Sequence, residues 1–424
     1  MPTIYILVAI LSMLTLCSCK PAHGPKREKK VRDESSNSSG ENLNYLKKKE
    51  IGFKIEGRPW ITQVNCIDLD KDGLVDILTC DGKLNAVSYI RQYPKGTYNE
   101  SIITQDIPAP VRVEPADMDK DGDVDLLIAS MGQVFPNNDK IGAVYILEQQ
   151  DDGSFIQREI ISEIARVTDV RAGDFDEDGQ LDLAVGQFGY DQGEIRWMRN
   201  QGNWQFESEI LLGLSGTVNV VVADFNEDGH QDIAAYVTQE WEEIHLFEND
   251  GHGKFADRVI YGSINEDFGG SGMIVCDLNQ DDKPDLLFTN GDGFDYATPG
   301  PRPWHGVQWL ENRGNGFFKL QRIGTLAGAY SPVCLDIDKD GDMDIVAISG
   351  FNAWEKPQAV SMMLYRNMGY TKFKEEVLAY YPTHLMTASA ALMDGKNPAV
   401  ITGGFHAYPP YKHMSRILIW EPKE

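Results

Sequence analysis

Short apolar runs punctuate this chain at wide, regular intervals, each following a dense polar turn: Ile77-Leu78, Leu126-Leu127-Ile128, Leu183-Ala184-Val185 and Ile345-Val346-Ala347. Runs of that length beside tight turns predict buried β-strands. A first strand (A) enters each polar turn and the apolar run (B) leaves it. A third strand (C) follows after a variable segment: Ala143 to Leu147, Glu194 to Met198, Glu243 to Phe247, Val307 to Leu310 and Met362 to Tyr365. A Gly/Asn turn such as Asn200-Gln201-Gly202 or Asn312-Arg313-Gly314-Asn315-Gly316 then leads to a fourth strand (D), which begins near Phe155, Phe206, Phe255, Phe318 or Phe373. Four strands folding back on one another predict the antiparallel blade of a β-propeller.

The polar turns between A and B share one nine-residue pattern in six copies: Asp68 to Asp76, Asp117 to Asp125, Asp174 to Asp182, Asp224 to Asp232, Asp277 to Asp285 and Asp336 to Asp344. Their first residues are 49, 57, 50, 53 and 59 positions apart. Repetition at this period marks a propeller or array.

The pattern suits calcium, which takes about six to eight oxygen ligands, mostly carboxylate and carbonyl. Acidic or amide side chains at positions 1, 3, 5 and 9 converge if the chain turns tightly, and glycine at position 6 supplies that turn. The expected ligands of the first loop are Asp68, Asp70, Asp72, the Leu74 carbonyl and Asp76. Those of the second are Asp117, Asp119, Asp121, the Asp123 carbonyl and Asp125, and of the third Asp174, Asp176, Asp178, the Gln180 carbonyl and Asp182. The fourth offers Asp224, Asn226, Asp228, the His230 carbonyl and Asp232; the fifth Asp277, Asn279, Asp281, the Lys283 carbonyl and Asp285. The sixth offers Asp336, Asp338, Asp340, the Asp342 carbonyl and Asp344. The fifth copy departs furthest, with Asp282 in place of glycine and Pro284 before its last ligand. Asp tolerates the left-handed conformation better than most residues, so this loop is expected to survive with weaker affinity. An EF-hand is excluded, because position 12 is Thr79, Ile128, Val185, Ala235, Phe288 or Ala347 instead of glutamate.

A seventh unit lacks the acidic loop. Ala390 to Met393 runs into the turn Asp394-Gly395-Lys396-Asn397 and out through Ala399 to Thr402, and Arg416 to Trp420 supplies its strand C. No strand D follows, whereas Gly52-Phe53-Lys54-Ile55 precedes the first strand A. The expected fold is therefore all-β, a seven-bladed β-propeller of four-stranded antiparallel blades. The N-terminal strand closes the ring, and calcium loops occupy blades one to six.

Charge then narrows the partners. The 424-residue chain has a formal net charge of −26, and the loop ligands account for 22 of its carboxylates. Six calcium ions would offset twelve of those charges. An acidic surface argues against nucleic acid, which needs a basic footprint. Ile4 to Leu16 is an apolar run too short to span a bilayer, and it ends in Leu16-Cys17-Ser18-Cys19. That ending resembles a bacterial lipobox with Cys19 as the lipidated residue, although no Lys or Arg precedes the run; an ordinary secretory signal is the alternative. The organisation expected is a signal peptide over 1–18, a flexible tether over 19–49 and the propeller over 50–424, with export to a bacterial cell envelope and membrane attachment through Cys19 only. The remaining Cys66, Cys80, Cys276 and Cys334 are expected as buried thiols, with a Cys66–Cys80 disulfide as the one pairing to test.

The Asp-x-Asp/Asn-x-Asp-Gly-x-x-Asp loop between two strands, with Trp309-Leu310-Glu311-Asn312-Arg313-Gly314-Asn315-Gly316, resembles the FG-GAP/VCBS repeat family, to which integrin α-chain propellers and many bacterial secreted proteins belong. The resemblance covers about residues 50 to 424 and implies the propeller and its calcium. It leaves the activity open, because such propellers include adhesins, lectin-like modules and polysaccharide lyases.

In a four-stranded meander the A–B and C–D turns share one face, and the B–C and D–A connections share the other. The second face is therefore the expected ligand face. Its B–C segments carry Phe294, Asp295, Tyr296, Arg302, Trp304 and His305, then Phe351, Asn352, Trp354 and Glu355, then Phe405, His406, Tyr408, Tyr411, Lys412 and His413. Its D–A connections add Arg58, Trp60, Arg112, Tyr330 and His384. Aromatic faces beside polar groups suit a sugar, so the expected partner is a carbohydrate or protein ligand held by Arg58, Trp60, Trp304, His305, Trp354, Tyr408 and Tyr411. Mutual packing of long loops accounts for the same aromatics equally well. An enzymatic alternative, a polysaccharide lyase, needs a base and a cation, with His305, His384, His406, Tyr296, Tyr330 and Arg302 as candidates. A third alternative is an accessory scaffold of an envelope complex.

Overall fold

The computed structural model describes residues 45 to 423 except Glu240, Asp295 and Ala297. The proposed signal peptide, Cys19, most of the proposed tether and the candidate Asp295 lie outside the described residues. Every element among the described residues is a strand, and the strands form seven separate four-stranded sheets. Blade one comprises strands A Ile61–Ile67, B Asp76–Asp81, C Ala86–Gln92 and D Tyr98–Thr104, hydrogen-bonded in that order. The next five blades repeat this meander, and all pairings are antiparallel.

Burial follows from the sequence pattern. Strand B is buried along its whole length in all seven blades, which explains its continuous apolar character. Strand D lies on the outside and is only partly covered, leaving Ile102, Ile156, Ile210, Val259 and Leu320 exposed. The hydrophobic core is not central. It divides into seven clusters, one at each contact between neighbouring blades, such as Leu78, Val87, Val113, Leu126 and Tyr145 between blades one and two.

Strand A carries a bulge near its start in every blade, for example between Ile61 and Gln63 and between Val167 and Asp169. The bulge re-aims one side chain across the blade boundary. Thr62 Oγ1 donates to the Pro110 carbonyl at 2.7 Å, Thr168 Oγ1 to that of Thr217 at 2.6 Å, and Ser271 Oγ to that of Ala329 at 2.6 Å.

The ring closes through an N-terminal strand, but a different one from that expected. Leu46–Glu50 pairs antiparallel with the C-terminal strand Ile417–Pro422 and completes blade seven, whereas Gly52 to Ile55 form a non-strand connection. The propeller therefore starts inside the segment assigned to the tether. Leu46-Lys47-Lys48-Lys49-Glu50 hides its strand character because only Leu46 faces the core and the other four side chains are exposed.

Candidate functional site

Two features stand at opposite ends of the ring. At one end, the six acidic loops share one backbone. Position 6 has positive φ throughout: 85° at Gly73, 94° at Gly122, 87° at Gly179, 95° at Gly229 and 94° at Gly341. Asp282 takes the same conformation at 68°, so the fifth loop keeps its shape without glycine. Position 4 is also left-handed, from Lys71 at 58° to Lys339 at 62°, which the residue types gave no reason to expect. That twist carries the position 4 side chain to the next blade's loop. Gln280 Nε2 donates to Gly341 O at 2.8 Å, Lys339 Nζ to Asn397 Oδ1 at 3.1 Å, and Lys71 Nζ to Gly122 O.

Inside each loop the position 1 carboxylate accepts the position 6 amide, as in Gly73 N to Asp68 Oδ2 at 2.9 Å and Asp282 N to Asp277 Oδ2 at 2.9 Å. In four loops, three carboxylates each bring an oxygen to within 4.8 Å of one another: Asp68, Asp70 and Asp76; Asp117, Asp119 and Asp125; Asp174, Asp176 and Asp178; Asp336, Asp338 and Asp344. Loops four and five have Asn226 and Asn279 at position 3 instead. Asp117 Oδ1 and Asp174 Oδ1 are buried without a hydrogen-bond partner. Burial pushes the position 9 carboxyls of Asp125, Asp182, Asp232, Asp285 and Asp344 up to about 6. Hard oxygen donors clustered with unsatisfied lone pairs fit a hard divalent cation.

The position 9 aspartate also ties the blade together. Asp344 Oδ2 accepts the Ile337 amide at 3.2 Å, and its Oδ1 accepts the amide of Asn367, the last residue of strand C, at 2.8 Å. The same pair is seen at Asp76, Asp125, Asp232 and Asp285. The strand C residue returns the contact. Asn312 Nδ2 donates to Pro284 O at 3.1 Å, and its Oδ1 accepts the turn amide of Gly314 at 2.9 Å. Gln92, Asn200, Asn249 and Asn367 make equivalent bonds. The repeated Asn-x-Gly read from the sequence as a turn signal is thus a clamp between the acidic loop and the C–D turn.

At the other end, the starts of the A strands and the B–C connections enclose an axial cavity of about 270 Å³. Its polar lining includes Gln63, Arg112 and Asn219; its apolar lining includes Phe188, Phe294 and Met386. Arg112 Nη2 donates to the buried Asp169 at 2.7 Å, Asn219 Nδ2 donates to the same carboxylate at 3.1 Å, and Arg112 Nε has no acceptor. Opposite them the equivalent strand positions are Gly272 and Pro332, which leaves space. An aromatic wall surrounds the cavity. Phe294 meets Phe351 at 5.1 Å, Phe405 at 5.7 Å and Tyr408 at 6.1 Å, and Trp60 meets Phe135 at 5.1 Å and Phe405 at 5.7 Å between ring centroids.

Three stretches, residues 68–128, 117–185 and 178–235, match the FG-GAP-like repeat, and each begins in an acidic loop. The chain is a seven-bladed β-propeller that carries FG-GAP-like repeats. A comparison with curated proteins finds no match. Among solved structures the FG-GAP propeller is similar to BBS1N in complex with ARL6DN, in crystals soaked with mercury and with lead. The TM-score is 0.50 in both; identity is 10% and 9%, and the match covers 86% and 85% of this chain and 92% and 91% of the other. At that identity the likeness is one of fold alone.

The FG-GAP-repeat propeller keeps the residues singled out as bases or ligand contacts off the cavity lining, Tyr330 excepted. Tyr330 lines the cavity, where its hydroxyl donates to Asp292 Oδ1, but His305, His384, His406, Tyr296 and Arg302 are not among the lining residues. His305 is fully buried, its Nδ1 accepting the Gly328 amide at 2.9 Å, and burial with nearby Arg302 and Arg322 pulls its pKa down to about 4. His384 and His406 lie 5.8 Å apart between ring centroids, with burial lowering their pKa values to about 3 and about 4. Trp354 packs on His384 at 5.3 Å. Tyr296 stacks under Arg302 at 4.0 Å, Arg58 lies 4.3 Å over Tyr411, and Trp304 Nε1 donates to Asp267 O at 2.7 Å. Trp60 and Tyr408 pack behind Phe294 and Phe405 and are not lining residues themselves. Gln63 and Asn219 carry no sequence signal, because inward direction on strand A depends on the bulge. Phe188 lies just past strand B of blade three, in a short B–C connection without the clustered aromatics of blades five to seven. Cys66 and Cys80 are both free thiols, as are Cys276 and Cys334.

Proposed function

We propose that this protein is a calcium-braced binding module that captures a carbohydrate or protein ligand on the face opposite the acidic loops, with the axial cavity at the centre of that face. The observation that carries the reading is the cavity: about 270 Å³, with Phe188 and Phe294 on apolar walls and Gln63, Arg112 and Asn219 offering polar groups. That mixture suits one ring-sized, hydroxylated moiety, and the volume is close to the lower end of small-ligand sites. Calcium would be held by the aspartates of the six loops and the position 7 carbonyls, where it would supply charge neutralisation and rigidity. The protein-ligand form of the reading draws support from BBS1N, a neighbour of similar fold whose structure is of a complex with ARL6DN. Export and anchoring through Cys19 form part of the same proposal and rest on the amino-terminal sequence.

Met386→Trp tests the reading by filling the cavity from a lining position. Isothermal titration with neutral and acidic oligosaccharides should show binding by the parent protein and at least about tenfold weaker binding by the variant, with unchanged calcium uptake. Equal binding by both proteins would remove the cavity from the ligand site.

A further inference from the structure

The six loops differ in what strand C places beside them. The residue before the clamping Asn or Gln is Arg91, Arg199 and Arg366 in blades one, three and six, and Glu148, Glu248 and Glu311 in blades two, four and five. Arg91 Nε lies 2.5 Å from Asp70 Oδ2 and its Nη2 lies 3.6 Å from Asp72 Oδ2. Arg199 Nε lies 2.5 Å from Asp176 Oδ2, and Arg366 Nη1 contacts Asp338 Oδ2. The other oxygen of each position 3 carboxylate accepts the position 5 amide: Asp72 N at 3.3 Å, Asp178 N at 3.3 Å and Asp340 N at 3.2 Å. In these three blades the position 3 aspartate thus has one oxygen hydrogen-bonded to backbone and the other in an ion pair, although Asp176 Oδ2 makes no aligned hydrogen bond to Arg199. In blades two, four and five no such arginine reaches the position 3 side chain, and the guanidinium pairs with the strand C glutamate instead. Arg158 Nε bonds Glu148 at 2.6 Å, Arg258 Nη2 bonds Glu248 at 2.8 Å, and Arg313 Nη2 lies 2.9 Å from Glu311. In blade five, however, Lys283 Nζ lies 3.3 Å from Asp281 Oδ2 within the loop. Blade seven carries the substitution through: Lys95 of blade one pairs with Asp394, the acidic residue of the turn that replaced the loop.

We propose that Arg91, Arg199 and Arg366 are internal counter-cations, each standing on a calcium loop in the ion's absence and giving way as calcium binds, so that uptake at three of the six sites is coupled to guanidinium release. The inference rests on calcium being the ion of these loops. A guanidinium on the position 3 carboxylate stabilises the empty loop against self-repulsion and opposes the incoming divalent charge. Arg91 and Arg199 have side chains 44% exposed, so both can move into solvent, and Arg91 already lies 4.8 Å over the Tyr93 ring. Arg366 is held harder, by Glu376 at 3.1 Å and by the Tyr45 ring at 5.1 Å.

The two consequences have opposite sign, which separates this role from a merely structural one. In the full chain, the triple variant Arg91→Gln, Arg199→Gln, Arg366→Gln should melt at a lower temperature than the parent in chelator. Equilibrium dialysis with radioactive calcium should show three sites whose affinity rises by about tenfold or more. Arg258→Gln, which removes a guanidinium held by glutamate, should leave the isotherm unchanged. Should the triple variant prove too unstable without metal, Arg91→Gln alone carries the test, with one site tightening. Unchanged or weaker calcium affinity in these variants would overturn the inference. A parent protein that takes up no calcium would overturn the reading on which it rests.

Discussion

His305, His384 and His406 are buried and neutral near pH 7, and that sets how the fold answers acid. Burial holds their pKa values near 4, 3 and 4, against about 6.5 in an unfolded chain. As pH falls below about 6.5, the unfolded chain takes up protons that the folded chain refuses, so stability falls until the folded values are passed. Each histidine contributes up to about 1.4 kcal/mol per pH unit in that window. Urea denaturation in saturating calcium should therefore show a lower midpoint at pH 5.5 than at pH 7, with a shallower dependence in His406→Gln. A flat profile between those pH values would contradict it. Calcium must be present, because the buried position 9 carboxyls pull the other way. Raised to about 6, they hold protons in the folded state that the unfolded chain has released, and that contribution is lost as pH rises through about 6. At this scale the loop aspartates were legible from residue type and spacing alone. The left-handed position 4 was not, because Lys, Glu and Gln declare no preference for it and the next blade's loop supplies the reason.

Among the elements, strand D is where periodicity gives least. A, B and C pack between neighbouring blades, whereas D is the outer strand and exposes residues in irregular runs, four in succession in blade three. The closing strand is the extreme case, with Leu46 alone buried, against Trp420 and Leu418 among others. A stretch of lysines thus reads as tether, while Phe53, which looks like strand, is 46% exposed. The physical consequence is sharp. Leu46→Ala should cost about 2 to 3 kcal/mol, measured by urea denaturation. Removing everything before Ile51 should bare the edge of Ile417–Pro422 and produce oligomers in size-exclusion chromatography. A truncated chain that stays monomeric with an unchanged midpoint would show that blade seven does not need its outer strand.

Taken whole, the described residues of the ring form seven interfacial cores and no central one, so its cohesion depends on each blade keeping its shape at the boundaries. The acidic loops fix that shape at one end, where clusters of like charge oppose it unless an ion intervenes. Chelation should accordingly lower Tm by at least roughly 10 °C, with full recovery on adding calcium, since ions bound only by the folded state stabilise it by mass action. An unchanged melt after exhaustive chelation would count against an ionic brace. Fold, blade number and loop positions were readable in advance because a sixfold repeat restates the same rule. The cavity was not, because the choice of Gln63, Arg112, Asn219, Gly272 and Pro332 at equivalent inward positions breaks that repeat and is made once per blade.

The strand that shuts the ring also joins it to whatever precedes Tyr45. A pull along the chain from that side first loads the five residue pairs between Leu46–Glu50 and the C-terminal strand, before any other sheet feels it. The latch is also the point where the chain enters the ring, so tension applied there would spring it first.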